Sequence, residues 1–466
     1  MELKRLAYDR VSRALDATQL AAPARVSDHP AMLPRLALSL ALTGLCTCAP
    51  ARPERPSVVL VLVDQLRHDA AERWLSATRA LAEQGVCFEE MRSVAPWTYP
   101  SVISLFSGLY PQQHGANADQ AGKRLTTIDE RVPLLPRTLR ASGYHTAAFI
   151  TNPFLHEWNH PVRDSFVHFD ASFIHDQGPT RGHGELVWTK EMYADTVNPR
   201  VRTYFDARPL REPEFTYVHY IDVHGRKEGP ERYVGAPFEA SYEAAVRFID
   251  GKVRELYEYF SARYGGNVLF LVTSDHGQDL GDELELGAET QCRARKASLH
   301  DFNLRIPLYI LPSALVPRGR VVREPCANID IAPTLYDWLG LASPLAVPGR
   351  SLLGAIRGAE GANSLPPLYA RNETGGRIDE GLVTAEQKFL RTLHVQSGTI
   401  ARNLFDLRAD PRELVALPQD TVALENALDA AAAIEPVFPA HFEEPDEATR
   451  EKLDALGYGG QAEERR

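Results

Sequence analysis

Two short polar pairs, far apart in the chain, together offer the donors of a divalent-cation site. Asp64-Gln65 and Asp275-His276 supply two carboxylates, an amide carbonyl and an imidazole. This hard, mostly oxygen set suits Ca2+, Mg2+ or Mn2+, and the histidine also admits Zn2+. Each pair directly follows an apolar run of strand length, VVLVLV (residues 58–63) and VLFLVT (residues 268–273). Two further runs end in the same way. TAAFI (146–150) leads into Thr151-Asn152, and FTYVHYI (215–221) leads into Asp222-Val223-His224. Ligands of open α/β sheets bind beyond the carboxyl ends of the strands, so four polar endings of this kind point to one shared site. Any single Asp or Asn among them would serve equally well as a turn residue or helix cap.

A fifth element can bring a nucleophile. The segment from Ala95 to Gly108 reads as a loop and then a short helix, with Pro100 in its first turn and Gly108 at its end. Thr98 is expected just before that helix, where free backbone N–H groups and the helix dipole favour an anion. A hydroxyl there that also met a divalent cation would lose its proton more readily and attack phosphorus or sulfur. The local sequence equally allows Thr98 to do no more than cap the helix.

The elements that would position these residues alternate. Strand-length apolar runs, with PLYIL (307–311) as a fifth, are separated by longer helix-like segments, of which YEAAVRFIDGKVRELYEYF (242–260) is the clearest. That pattern predicts a mostly parallel α/β sheet flanked by helices. From about residue 366 the chain changes to short strands and turns, then an Ala-rich helix near 424–434 and a capped terminal helix near 446–456. This region is expected to form a smaller α+β subdomain over the edge of the sheet. The predicted organisation is therefore an upstream extension (1–31), a leader and linker (32–55), a catalytic domain (56–365) and a C-terminal subdomain (366–466).

The 51 Lys+Arg and 62 Asp+Glu leave a net charge of -11, and a pI near 5.8 argues against nucleic acid as a partner. An anionic substrate must then meet a local positive site, such as a metal ion. The five cysteines are too few and too scattered for a disulfide framework. The stretch LALSLALTGL (36–45) follows Met32 and Arg35 and precedes Cys46 and Cys48. It falls well short of the ~20 residues that span a bilayer, but it resembles a secretory signal with a poor lipoprotein cleavage box. The expectation is an exported protein of the cell envelope, periplasm or outside, whose start is Met32 and whose membrane link is at most an N-terminal anchor. A cytoplasmic protein with an amphipathic leader is the alternative.

Six motifs carry a family resemblance. VVLVLVDQLRHD, TYPSVISLFSGLYPQQHG, VTSDHGQDLGD, KASLHDFNLRIPLYI, NIDIAPTLYDWLGL and NLFDLRADPREL resemble, in this order, the successive motifs of the sulfatase family within the alkaline phosphatase superfamily. The resemblance implies that superfamily's sheet and places Asp64, Gln65, Asp275 and His276 on metal-ligand positions. The Asp-Gln pair looks like the phosphonate monoester hydrolase branch. Thr98 falls where sulfatases carry the Cys or Ser that becomes formylglycine. His224 matches a histidine near the ester oxygens, although Val223 replaces the usual proline. Lys296, five residues before Asp301 and nine before Arg305, matches a substrate-binding lysine. Asn152 and Asn117 are expected near the substrate, and His114 is expected to be structural.

The departures from the family pattern are specific. The family's C/S-x-P-x-R reads Thr98-Tyr99-Pro100-Ser101-Val102 here, and Thr151, Asn152 and Pro153 stand where Lys-Trp-His would fall. A threonine nucleophile beside an asparagine resembles superfamily members that act on phosphate. The expected function is therefore metal-dependent cleavage or transfer of an anionic phosphate ester, from a glycan or lipid-derived substrate, by Thr98. In that reading His224 serves the leaving oxygen and Lys296 the nonbridging oxygens. The two alternatives are sulfate-ester hydrolysis without formylglycine and a degenerate fold that binds glycans without turnover.

Overall fold

The computed structural model describes residues 55–117, 126–155, 160–172, 193–224, 238–282, 298–359, 366–374, 376–418, 421–439 and 441–442. Its centre is an eight-stranded sheet. Across the sheet the order is Arg320–Val322, Val86–Phe88, Leu308–Leu311, Val268–Thr273, Ser57–Val63, Glu214–Tyr220, His145–Ile150 and His168–Asp170. Only Leu308–Leu311 runs antiparallel to its neighbours. The other strands share one direction, as the alternation of apolar runs and helices predicts.

Why the apolar runs are continuous is visible in their two faces. Val58, Leu60 and Leu62 pack on one side of the sheet with Val102, Leu105 and Phe106. Val59, Val61 and Val63 pack on the other, against Tyr242, Val246 and Ile249 of the long helix Phe238–Tyr264. A strand covered on both faces has no polar side, so period 2 disappears from its hydropathy. Each fully buried Val or Leu contributes roughly 1.5–3 kcal/mol, and Leu60→Ala would cost ~2–5 kcal/mol.

The same parity sorts the polar residues. Leu62 pairs with His219 and Val63 with Tyr220, and Leu62 pairs with Thr273 on its other side. The ends of three parallel strands are therefore level, and Asp64, Asp222 and Asp275 all emerge at one edge.

The C-terminal part forms a four-stranded antiparallel sheet of Leu368–Thr374, Arg377–Val383, Gln387–His394 and Ile400–Asp406. It is joined to the rest by buried charge. Lys388 is fully buried and places Nζ 2.8 Å from Asp301 Oδ1 and 2.8 Å from Glu413 Oε1. Arg92 Nη2 lies 2.7 Å from the other Asp301 oxygen. The helix expected at 446–456 lies outside the described residues, as does the leader at 32–48.

Candidate active site

Thr98 begins the helix Thr98–Ser107, whose preceding cap residue is Trp97. It was expected one residue earlier, as a cap. Trp97 is extended and makes no side-chain cap bond, and the Thr98 hydroxyl meets the side chains of His276 and Asn152. Pro100 is tolerated because the first-turn N–H groups have no intrahelical partner. Gly108 ends the helix at φ 73, a left-handed conformation in which a Cβ would also press on Val347 at 3.0 Å.

Thr98 is fully buried. Its Oγ1 is 3.5 Å from His276 Nε2 and accepts from Asn152 Nδ2 at 3.4 Å. The second amide hydrogen of Asn152 goes to Asp64 Oδ2 at 2.5 Å, and the amide oxygen accepts from Phe154 N at 2.8 Å. Asn152, expected against substrate, has both ends of its amide engaged within the protein and links Asp64 to Thr98.

His276 Nδ1 donates to the Gly277 carbonyl at 2.8 Å, which leaves the Nε2 lone pair facing the cluster. Asp275 Oδ1 accepts from the backbone N–H groups of His276 at 2.9 Å and Gln65 at 3.1 Å. Gly277 follows this pair of ligand candidates. Its constraint is close approach, because a Cβ there would sit 2.0 Å from the Phe302 carbonyl oxygen.

Two carboxylate oxygens in this cluster, Asp64 Oδ1 and Asp275 Oδ2, are buried without a hydrogen-bond partner. Ligand atoms of Asp64, Asp275 and His276 lie within 4.8 Å of one another. Burial and then the Asp275 charge push the Asp64 carboxyl above its ordinary range, and His219 opposes them. Two orphaned anionic oxygens facing one imidazole lone pair are the complement of a cation. The donor set thus fits a hard divalent ion.

Gln65 holds a left-handed backbone at φ 59, unusual for a residue with a side chain. The loop leaves it little choice. The Tyr242 hydroxyl donates to Gln65 O at 2.7 Å and accepts from Arg67 N at 3.0 Å, and Ser274 Oγ accepts from Leu66 N at 3.0 Å. Strain retained by so many bonds beside a candidate site is a common functional signature.

His224 is buried in the turn after the Glu214–Tyr220 strand, at the same sheet edge. Asp222, in that turn, accepts from Ala194 N at 3.2 Å and so serves the start of the helix Ala194–Asp206. Asn117 is half-buried and pairs its backbone with Thr126, whose own carbonyl accepts from the Tyr99 hydroxyl. His114 is buried between Ser104 Oγ and Ala116 N, and desolvation lowers it to about 3. Lys296 lies outside the described residues. A cleft of about 250 Å3 beside Arg67 mixes the charges of Arg73, Arg305 and Arg412 with those of Asp69, Asp282, Asp301 and Glu413.

Sequence reasoning missed His219. It is fully buried, with Nε2 3.1 Å from Asp64 Oδ2 and Nδ1 2.8 Å from the Tyr217 hydroxyl. Its only signal was a polar residue in an otherwise buried strand run, two positions after a tyrosine on the same face.

A family model described as Sulfatase matches residues 56–341. The chain belongs to the sulfatase family. It is 32% identical over 453 residues to the arylsulfatase of Clostridium perfringens, covering 78% of this chain and 90% of that one. It is 22% identical over 444 residues to the delta 4,5-hexuronate-2-O-sulfatase of Bacteroides thetaiotaomicron, covering 81% and 87%. The phosphonate monoester hydrolase of Agrobacterium radiobacter shares the fold, with a TM-score of 0.62 at 18% identity and 81% and 94% coverage. In this sulfatase-family hydrolase Val102, which stands where the motif would carry arginine, is fully buried in the apolar core. Among the described residues, the side chains hydrogen-bonded to Thr98 and the two carboxylates are Asn152, His219, Ser274 and His276, with no lysine or arginine.

Proposed function

We propose that this sulfatase-family hydrolase is a metal-dependent enzyme that cleaves a phosphate ester through Thr98. The observation that carries the reading is the Thr98 hydroxyl, buried between Asn152 and His276 beside two orphaned carboxylate oxygens. Asp64, Gln65, Asp275 and His276 would hold the divalent cation, with the Thr98 oxygen beside it. When bound, that cation supplies positive charge for the transferred group and favours the ionised hydroxyl.

The protein's own groups do the rest. Thr98 Oγ1 releases its proton to solvent water and bonds to phosphorus while the bond to the leaving alcohol oxygen breaks. The positive end of the helix Thr98–Ser107 faces the charge that develops there. His224 donates a proton to the leaving oxygen, and Lys296 neutralises a nonbridging one. Water then splits the phosphothreonine and returns a proton to Oγ1. Asn117 would meet the remainder of an anionic glycan or lipid-derived substrate. The leader-like segment at 32–48 supports export to the cell envelope or beyond.

Sulfate-ester hydrolysis is the second reading, favoured by the arylsulfatase of Clostridium perfringens as a relative at 32% identity. Turnover of aryl phosphate, aryl phosphodiester, phosphonate monoester and aryl sulfate by parent, Thr98→Ala and Thr98→Ser separates the two. Phosphate-type turnover that falls by several orders of magnitude in Thr98→Ala and partly returns in Thr98→Ser is expected. Sulfate turnover alone favours the second reading, and unchanged turnover in Thr98→Ala removes the threonine mechanism.

A further inference from the structure

Three fully buried polar residues form a line that ends at the candidate cation site. Tyr217 and His219 are two residues apart on one strand and therefore share a face. The register sets His219 opposite Leu62, so its ring reaches forward to Asp64, whose carbon lies two residues further along the neighbouring strand on that same face. The hydrogen positions along the line follow from chemistry. A carboxylate can only accept, so His219 Nε2 carries the hydrogen and donates to Asp64 Oδ2 at 3.1 Å. In the neutral ring Nδ1 then accepts, and the Tyr217 hydroxyl donates to it at 2.8 Å. Burial raises Tyr217 well above its ordinary value, which keeps that hydroxyl protonated and the donor in place.

We propose that His219, backed by Tyr217, is the positioning residue that presents Asp64 to the divalent cation. Both ring nitrogens of His219 are occupied by protein, so the ring itself neither touches substrate nor ligates metal. Its effect is on the rotamer of Asp64. With His219 and Asn152 both on Oδ2, that oxygen is saturated and the carboxylate is fixed with Oδ1 left over. Oδ1 is the orphaned oxygen, and its counterpart is Asp275 Oδ2. A histidine kept only for packing would be satisfied by any buried carbonyl. This one is bound to a carboxylate whose second oxygen has no other use within the protein. The inference rests on the metal reading given under Proposed function.

The test is calorimetric titration of Mn2+ and Ca2+ into the chelator-stripped full chain, for the parent and three variants, with melting of the metal-free proteins alongside. The parent should bind one equivalent. His219→Phe should bind about 10- to 100-fold more weakly, the usual scale for loss of a ligand's supporting partner. Tyr217→Phe should weaken binding several-fold, because Nδ1 loses the donor that fixes the tautomer. His219→Gln, which retains an amide N–H donor, should return to within a few-fold of the parent. Parent-like affinity in folded His219→Phe overturns the proposal, and if that variant does not fold, parent-like affinity in Tyr217→Phe does so. A parent that binds neither cation would instead overturn the metal reading itself.

Discussion

Ser101 Oγ donates a 2.6 Å hydrogen bond to the backbone carbonyl of Asp275. Ser101 is one turn along the helix that begins with Thr98, so this bond ties the candidate nucleophile to the strand end that carries two candidate ligands. Ser93 Oγ at 2.9 Å and Asn328 Nδ2 at 2.9 Å hold the same hydroxyl from behind. Ser101→Ala should cost ~1–2 kcal/mol in denaturant unfolding. It should also lower kcat about tenfold at nearly constant KM, since small misplacement of reacting groups acts on the chemical step. An unchanged kcat would mean that the helix finds its position without this bond.

Gln65 offers a separation of stability from binding. Glycine relieves the positive φ, a strain on the order of 1 kcal/mol, while deleting the amide that the Asp64-Gln65 pair would offer to the cation. Gln65→Gly should therefore melt at the same or a higher temperature without metal and bind Mn2+ at least tenfold more weakly. If affinity is retained, the amide is not a ligand.

Removal of metal should expose the conflict between the two carboxylates. At neutral pH the stripped parent should melt lower than the loaded protein, and cation at a hundredfold excess over Kd should restore about 2.7 kcal/mol. Asp64→Asn removes one of the two facing charges. It should melt above the stripped parent and gain nothing from added cation. Equal stabilisation of parent and Asp64→Asn by metal would place the ion elsewhere.

Glu413 supplies a pH dependence unrelated to the site. It is buried, and desolvation raises it from 4.5 to about 7, against the pull of Lys388. A carboxyl raised in the folded state binds its proton more tightly there than in the unfolded chain. Its contribution is thus complete below pH 4.5 and is lost as pH climbs through 7. The loss is on the order of 3 kcal/mol. Glu413→Gln should flatten the stability profile between pH 4.5 and 7 in urea unfolding, and a slope identical to the parent's would refute the assignment.

The sheet and the residues at its edge were legible because continuous apolar runs ended abruptly in Asp, Asn and His. The helix at Thr98 was legible from Pro100 and Gly108. Other features depended on partners that no local pattern announces. His219 sat inside a run already read as strand, and its meaning lies in the register with Leu62. Asp222 looked like a site residue, yet its carboxylate serves the helix that starts at Ala194, since a strand-end aspartate suits either task. The short strands Val86–Phe88 and Arg320–Val322 show no period. The antiparallel course of Leu308–Leu311 is set by tertiary pairing alone.

The buried knot around Asp301 bears on how the chain can be divided. The family match ends at residue 341, and a cut near 365 would spare every candidate ligand. It would also remove Lys388 and Glu413, so that the Asp301 backbone N–H loses its 2.7 Å acceptor on Glu413 and the Asp301 carboxylate keeps, among the described residues, Arg92 as its paired cation. The antiparallel sheet thus supplies, through Lys388, a buried counterion for Asp301 of the larger unit. In evolutionary terms the two parts are not exchangeable modules: a new C-terminal sheet could be grafted onto this scaffold only if it brought its own buried lysine.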